Sequence, residues 1–156
     1  MLKLSLIGTL GFVLSAAVMP NVVLTGSTKD CLGRQYVQVP GVTVGAFHPT
    51  KNQKMVDLLK AMDTAVYVDG DTAYMTRFEA NYAQLVNLAM TSTALARATS
   101  DSAGNFALSV TALDSALVVG YRNSEDIPNY YSYRIVGARA NSTFYLDMSR
   151  GECHYP

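Results

Sequence analysis

Apolar side chains recur at every second position in three late segments of the chain. They are Phe106, Leu108 and Val110, then Tyr131, Tyr133 and Ile135, then Phe144, Leu146 and Met148. A spacing of two places such residues on one face of a β-strand. Residues 117–121 (LVVGY) form a continuous apolar run instead, the pattern of a central strand. Two shorter strands are expected earlier, over residues 35–39 and 42–47, separated by the turn signal Pro40 and Gly41. Residues 100–105 (SDSAGN) are rich in turn formers. Strands divided by such turns predict an antiparallel β-sandwich.

Between these strands the period changes. Met55, Leu58, Leu59 and Met62 fall at helical spacing, and Thr50 and Gln53 have the spacing of a capping box at the start. Asp63 is expected just past this helix. Residues 65–68 and 72–75 flank Asp69, Gly70 and Asp71, which predicts a small hairpin. Thr76 and Glu79 repeat the capping-box spacing. Phe78, Tyr82, Leu85, Val86 and Ala89 then line one face of a second helix that fades near Thr91.

The N-terminus reads as an address. Lys3 precedes an apolar run from Leu4 to about Leu14, followed by Ser15, Ala16 and Ala17. This is the layout of a secretory signal peptide, residues 1–17, cleaved after Ala17. The run is shorter than the roughly 20 residues a membrane-spanning helix needs. No second run could span, so no stable membrane span is expected once the signal is removed. Residues 18–30 are expected to be an exposed leader, and residues 31–156 a single β-sandwich domain with an α-rich insertion at about 49–92. A periplasmic or secreted location follows from export. Export also makes the cysteines informative: the chain has two, Cys31 and Cys153. An even count in an exported protein predicts a disulfide. This one would close almost the whole domain, worth about 4–5 kcal/mol on the chain-entropy account.

Charge removes further classes. Twelve basic residues balance twelve acidic ones, and the basic residues are scattered, so no electrostatic footprint for nucleic acid exists. Only two histidines accompany the two cysteines, which argues against a zinc site, and no cofactor is expected.

The strand text resembles a known family. Val42, Val44 and Ala46 match a V-x-V-x-A strand. Thr99, Asp101, Gly104, Phe106 and Leu108 match a near variant of T-x-x-D-x-x-G-x-F-x-L, and Gly120 and Tyr121 end an apolar strand. Together these resemble the carboxypeptidase regulatory-like domain, over residues 42–47 and 95–148. The resemblance implies a mainly β fold, an antiparallel transthyretin-like (prealbumin-like) Greek-key sandwich. In the turn, Asp101 would accept backbone N–H bonds, Gly104 would take a positive φ, and Phe106 would drop into the core. Two departures stand out. Thr99 lies two residues before Asp101, not three. The family's short first loop is replaced here by the inserted helix–hairpin–helix segment. The resemblance implies a non-catalytic module. Hydroxyisourate hydrolases share the fold, but their site needs several histidines and a C-terminal Tyr-Arg-Gly-Ser, whereas this chain ends GECHYP.

Few residues suggest chemistry. His48 and His154 are the only imidazoles, and no G-x-S-x-G elbow is present, so no catalytic residue is assigned. Asp63, Asp69 and Asp71 lack EF-hand spacing, and no metal site is assigned. Asn141, Ser142 and Thr143 match a glycosylation acceptor. Tyrosine is in excess, ten residues with no tryptophan. Tyr131 and Tyr133 are expected to face the core. Tyr130 and Tyr145 are then the candidate binding surface, because a tyrosine ring is apolar and its hydroxyl seeks a partner. The expected function is an exported, non-enzymatic structural or protein-binding module of the cell envelope or secreted fraction. The alternative is a carbohydrate-binding accessory domain. The expected partner is an envelope protein or a polysaccharide, with no nucleic acid.

Overall fold

The computed structural model describes residues 19–32, 35–64, 72–124 and 127–148, with only the backbone at residues 32, 123–124 and 127–130. The elements in chain order are β1 (Asn21–Leu32), β2 (Gln35–Gln38), β3 (Thr43–Phe47), α1 (Gln53–Thr64), α2 (Thr72–Thr91), β4 (Ala96–Thr99), β5 (Asn105–Thr111), β6 (Leu113–Ser124), β7 (Ile127–Ala138) and β8 (Ser142–Asp147). The chain is mainly β, a sandwich of two four-stranded sheets with few helices.

The first sheet is built around β1. It pairs antiparallel with β5 over Asn21 to Ser27 and with β2 over Lys29 to Leu32, and parallel with β8 over Leu24 to Lys29. Lys29 pairs with β2 and β8 at once, and Ser27 with β5 and β8. A strand has two edges, so β2 and β5 occupy successive stretches of one edge and β8 the other. Residues 21–30 are therefore not an exposed leader. The alternation that marks β1 is hidden, because two of its inward positions are Gly26 and Thr28. A Cβ at Gly26 would lie 2.4 Å from the Phe106 ring and 2.8 Å from the Phe144 carbonyl oxygen, so only glycine lets the ring settle on the strand. Thr28 is fully buried, and its hydroxyl donates toward the carbonyls of Val39 and Gly104.

The second sheet runs β4-β3-β6-β7 and is antiparallel throughout. Its two faces serve two cores. Val42, Val44, Ala46, Val118 and Ala138 pack against Val22, Leu24, Phe106, Leu108, Val110 and Leu146 of the first sheet. Phe47, Leu117, Val119, Tyr121 and Tyr131 pack against Met55, Leu59 and Met62 of α1 and Tyr82, Leu85 and Ala89 of α2. The unbroken apolar run in β6 follows from this, since both of its faces are covered.

The helical segment departs from expectation at its joints. Thr50 lies in a 3-10 helix, Pro49–Asn52, its hydroxyl meets His48 Nδ1 at 3.1 Å, and Gln53 donates to Asp57. The first capping box is thus not made. Asp63 lies within α1, not beyond it. Residues 65–71 fall outside the described residues, but residues 72–75 are the first turn of α2, not a hairpin strand. Thr76 is consequently inside the helix, where its hydroxyl donates back to the Thr72 carbonyl. The cause is an aromatic stripe that begins one turn earlier than Phe78. Tyr74, Phe78 and Tyr82 stack along the helix at 6.3 and 6.4 Å.

Two polar contacts lock α2 down. Arg97 of β4 donates to the carbonyls of Ala89, Met90 and Ser92 at the end of α2, placing a cation where the helix dipole is negative. The buried Tyr82 hydroxyl donates to the Arg122 carbonyl of β6. Burial pushes the Tyr82 pKa up to about 12, against the lowering influence of that hydrogen bond. The folded value lies above the ordinary value of about 10. The neutral phenol therefore stabilises the fold below that pH, and the contribution is lost as pH rises to about 12. Urea unfolding at successive pH values should show stability falling across this window, less steeply in Tyr82→Phe.

Candidate binding surface

Sheet pairing sorts the side chains of the first sheet by face. With Val22, Leu24, Gly26 and Thr28 inward, the outer face of β1 carries Val23, Thr25, Ser27, Lys29 and Cys31. Register adds Tyr36 and Gln38 from β2, Asn105, Ala107 and Ser109 from β5, and Thr143, Tyr145 and Asp147 from β8. Among the described residues, the charged groups on this face are Lys29 and Asp147. The remainder is mostly small and hydroxyl-bearing. The second sheet has its outer face covered by the helices.

Tyr145 is the focus of one end. Its ring meets Tyr36 edge-on at 6.1 Å between centroids. Lys29 Nζ lies 5.2 Å from the Tyr145 centroid and 6.0 Å from that of Tyr36. The Arg134 guanidinium of β7 lies 5.1 Å from the Tyr145 centroid. Tyr36 donates to Asp147 Oδ2 at 3.3 Å. Partial desolvation, then Asp147 and Tyr145, raise the Tyr36 phenol above its ordinary pKa. Tyrosine and arginine are among the side chains enriched at protein-binding hot spots. Tyr130 pairs with Arg122 through the backbone, and its side chain lies outside the described residues.

Tyr121, Tyr131 and Tyr133 on the other sheet turn inward to the helices. Tyr131 is buried and donates to Asp63 Oδ1 at 3.1 Å. Tyr133 is half-buried, and burial followed by the Asp63 carboxylate pushes its pKa up to about 12. Asp63 thus ties the end of α1 to β7. Asp69, Asp71, Cys153 and His154 lie outside the described residues.

The turn before β5 is closed by Asp101. Its Oδ1 accepts from the N–H groups of Ala103 and Asn105, at 2.9 and 2.8 Å, and its backbone bonds to Asn105 and Gly104. Gly104 has φ +76°, and an added Cβ would lie 2.9 Å from the Thr28 carbonyl oxygen. Phe106 follows directly and is buried. Cys31 sits on the outer face near the end of β1. Asn141 accepts from the Val23 N–H at 2.8 Å and pins the start of β8 to β1.

No family model and no curated protein matches the chain. Among solved structures, the chain is similar to the shaft pilin SpaA from Lactobacillus rhamnosus GG, at 10% identity and a TM-score of 0.35, over 83% of this chain and 48% of that one. A double-mutant form of the same pilin gives 12% identity and a TM-score of 0.33, over 83% of this chain and 50% of that one. The chain thus spans about half the length of these pilin structures.

Elsewhere, an open groove of about 690 Å³ at one end of the sandwich is lined by Met19, His48, Leu113, Asp114 and Arg139 among others. Its Arg139–Asp114 ion pair is exposed on both sides. Among the described residues, no group of three or more His, Cys, Asp or Glu could hold a metal ion. No described helix is long and apolar enough to cross a membrane.

Proposed function

We propose that this protein is an exported, non-enzymatic structural or protein-binding module of the cell envelope or secreted fraction, working through the outer face of its first sheet. The observation that carries the reading is the asymmetry of the sandwich. Helices cover one outer face, while no described element covers the other, whose charged groups gather with Tyr36 and Tyr145 at one end. Residues 1–17 are the export signal in this reading, and the Cys31–Cys153 bond secures the end of β1. The Tyr145 ring is already engaged by Lys29 and Arg134, which favours a protein contact over sugar stacking.

Crosslinking tagged protein in the envelope of the cells that make it tests this. A defined protein partner should be recovered, with recovery falling at least several-fold in Tyr145→Ala. Retention on insoluble polysaccharide without any protein partner would move the protein to the carbohydrate-binding class. Recovery of neither would overturn the reading.

A further inference from the structure

The backbone of β5 has a fixed polarity. Thr28 N–H donates to the Gly104 carbonyl, and Ala112 N–H donates to the Pro20 carbonyl. Both are directly opposed pairs in the β1–β5 register, so the hydrogen-bonded pairs recur at every second residue between them. Phe106, Leu108 and Val110 therefore point their backbone groups at β1. Asn105, Ala107, Ser109 and Thr111 point theirs outward, away from the sheet. Asn105 is already occupied, its N–H by Asp101 Oδ1 and its carbonyl by the Asp101 N–H. Ala107, Ser109 and Thr111 remain, and among the described strands only β1 pairs with β5.

Such an edge is a template for another strand unless it is blunted by charge, proline, bulges or shortness. The other edges show these devices, β2 by its length of four residues alone. β4 has four residues and carries Arg97. β7 carries Pro128 and Arg134, and its pairing with β6 has two register shifts. β8 is flanked by Arg134 over Tyr145. β5 has seven residues in strict alternation of exposed and buried, with no charge, no proline and no bulge.

We infer that β5 pairs antiparallel with β5 of a second copy of this chain, about a two-fold axis at Ser109, joining the two first sheets into one continuous sheet. The sequence of the edge is self-complementary in that register. Ser109 opposes Ser109, and Ala107 opposes Thr111, all on the outer face. Leu108 opposes Val110 on the inner face, so apolar meets apolar and no charge is placed opposite another. This surface is distinct from the Tyr145 end of the sheet, so it goes beyond the proposed function and stands or falls separately.

Sedimentation equilibrium of the protein should give twice the mass of one chain. Ser109→Pro removes an outward N–H without touching the β1 ladder, so it should yield single chains with an unchanged circular dichroism spectrum. Ser109→Lys should do the same, because like charges would face each other across the axis. Opposed residues of a hydrogen-bonded pair lie about 5.5 Å apart at Cα, within disulfide reach. Ser109→Cys should therefore form a covalent dimer on oxidation, whereas Thr25→Cys on β1 should not. Single chains for the unaltered protein at millimolar concentration would overturn the inference. So would a dimer that survives Ser109→Pro while Ser109→Cys fails to crosslink.

Discussion

Replacing Phe106 with alanine is expected to lower the unfolding free energy by about 3–5 kcal/mol, the range for large buried aromatics. The ring sits where three strands meet. Its own strand, β5, pairs Phe106 with Gly26 of β1, and Gly26 pairs in turn with Phe144 of β8. Phe106 and Phe144 then meet edge-on across the glycine at 5.7 Å between centroids. Truncation removes the lid over Gly26, the aromatic pair and a buried face of the sandwich core together. β1 is too central to collapse into the gap, because it is paired along both edges. Urea denaturation should show the midpoint falling with little change in slope. Phe106→Leu retains most of the volume and should lose clearly less. Gly26→Ala attacks the same contact from the other side and should also be strongly destabilising, because the new Cβ and the ring cannot both occupy the space.

Cys153→Ser is expected to lower stability by about 4–5 kcal/mol relative to the oxidised protein, as the loop-closure estimate for so long a loop implies. The topology supports the pairing. β8 runs parallel to β1, and Asp147 pairs with Lys29, two residues before Cys31. Cys153 lies six residues beyond Asp147. That length spans the distance easily at about 3.3 Å per extended residue. The parallel β1–β8 pair joins the first and last described strands and has no local turn to fix its register, so a covalent tie there would close a long loop. Intact mass should rise by two hydrogens on reduction, and reduced wild type should melt with Cys153→Ser. Equal stability of wild type under oxidising conditions and Cys153→Ser would rule out the bond.

The β-sandwich was legible because β5 alternates strictly, and because β6 is apolar on both faces. The residues that obscured β1 are informative. Gly26 and Thr28 occupy inward positions for reasons that exist only once other strands arrive: the Phe106 ring for one, the Val39 and Gly104 carbonyls for the other. No window of β1 alone contains those partners. The early start of α2 is different, since Tyr74 lies four residues before Phe78 and the helical stripe was present in the text. The β-rich look of residues 72–75 and the neighbouring Asp-Gly pair competed with it. Tyr145 could be singled out from composition. Its surroundings could not, because Lys29, Tyr36 and Arg134 are brought to it from three other strands.

The proposed working surface is the face of the first sheet that no described element covers. Two photo-crosslinking positions test it in the cells that make the protein: Thr143 on that face, and Lys60 on the exposed side of α1. The probe at 143 should capture a discrete protein, and the probe at 60 should not. Capture at 60 alone would place the interaction on the helical layer and contradict it.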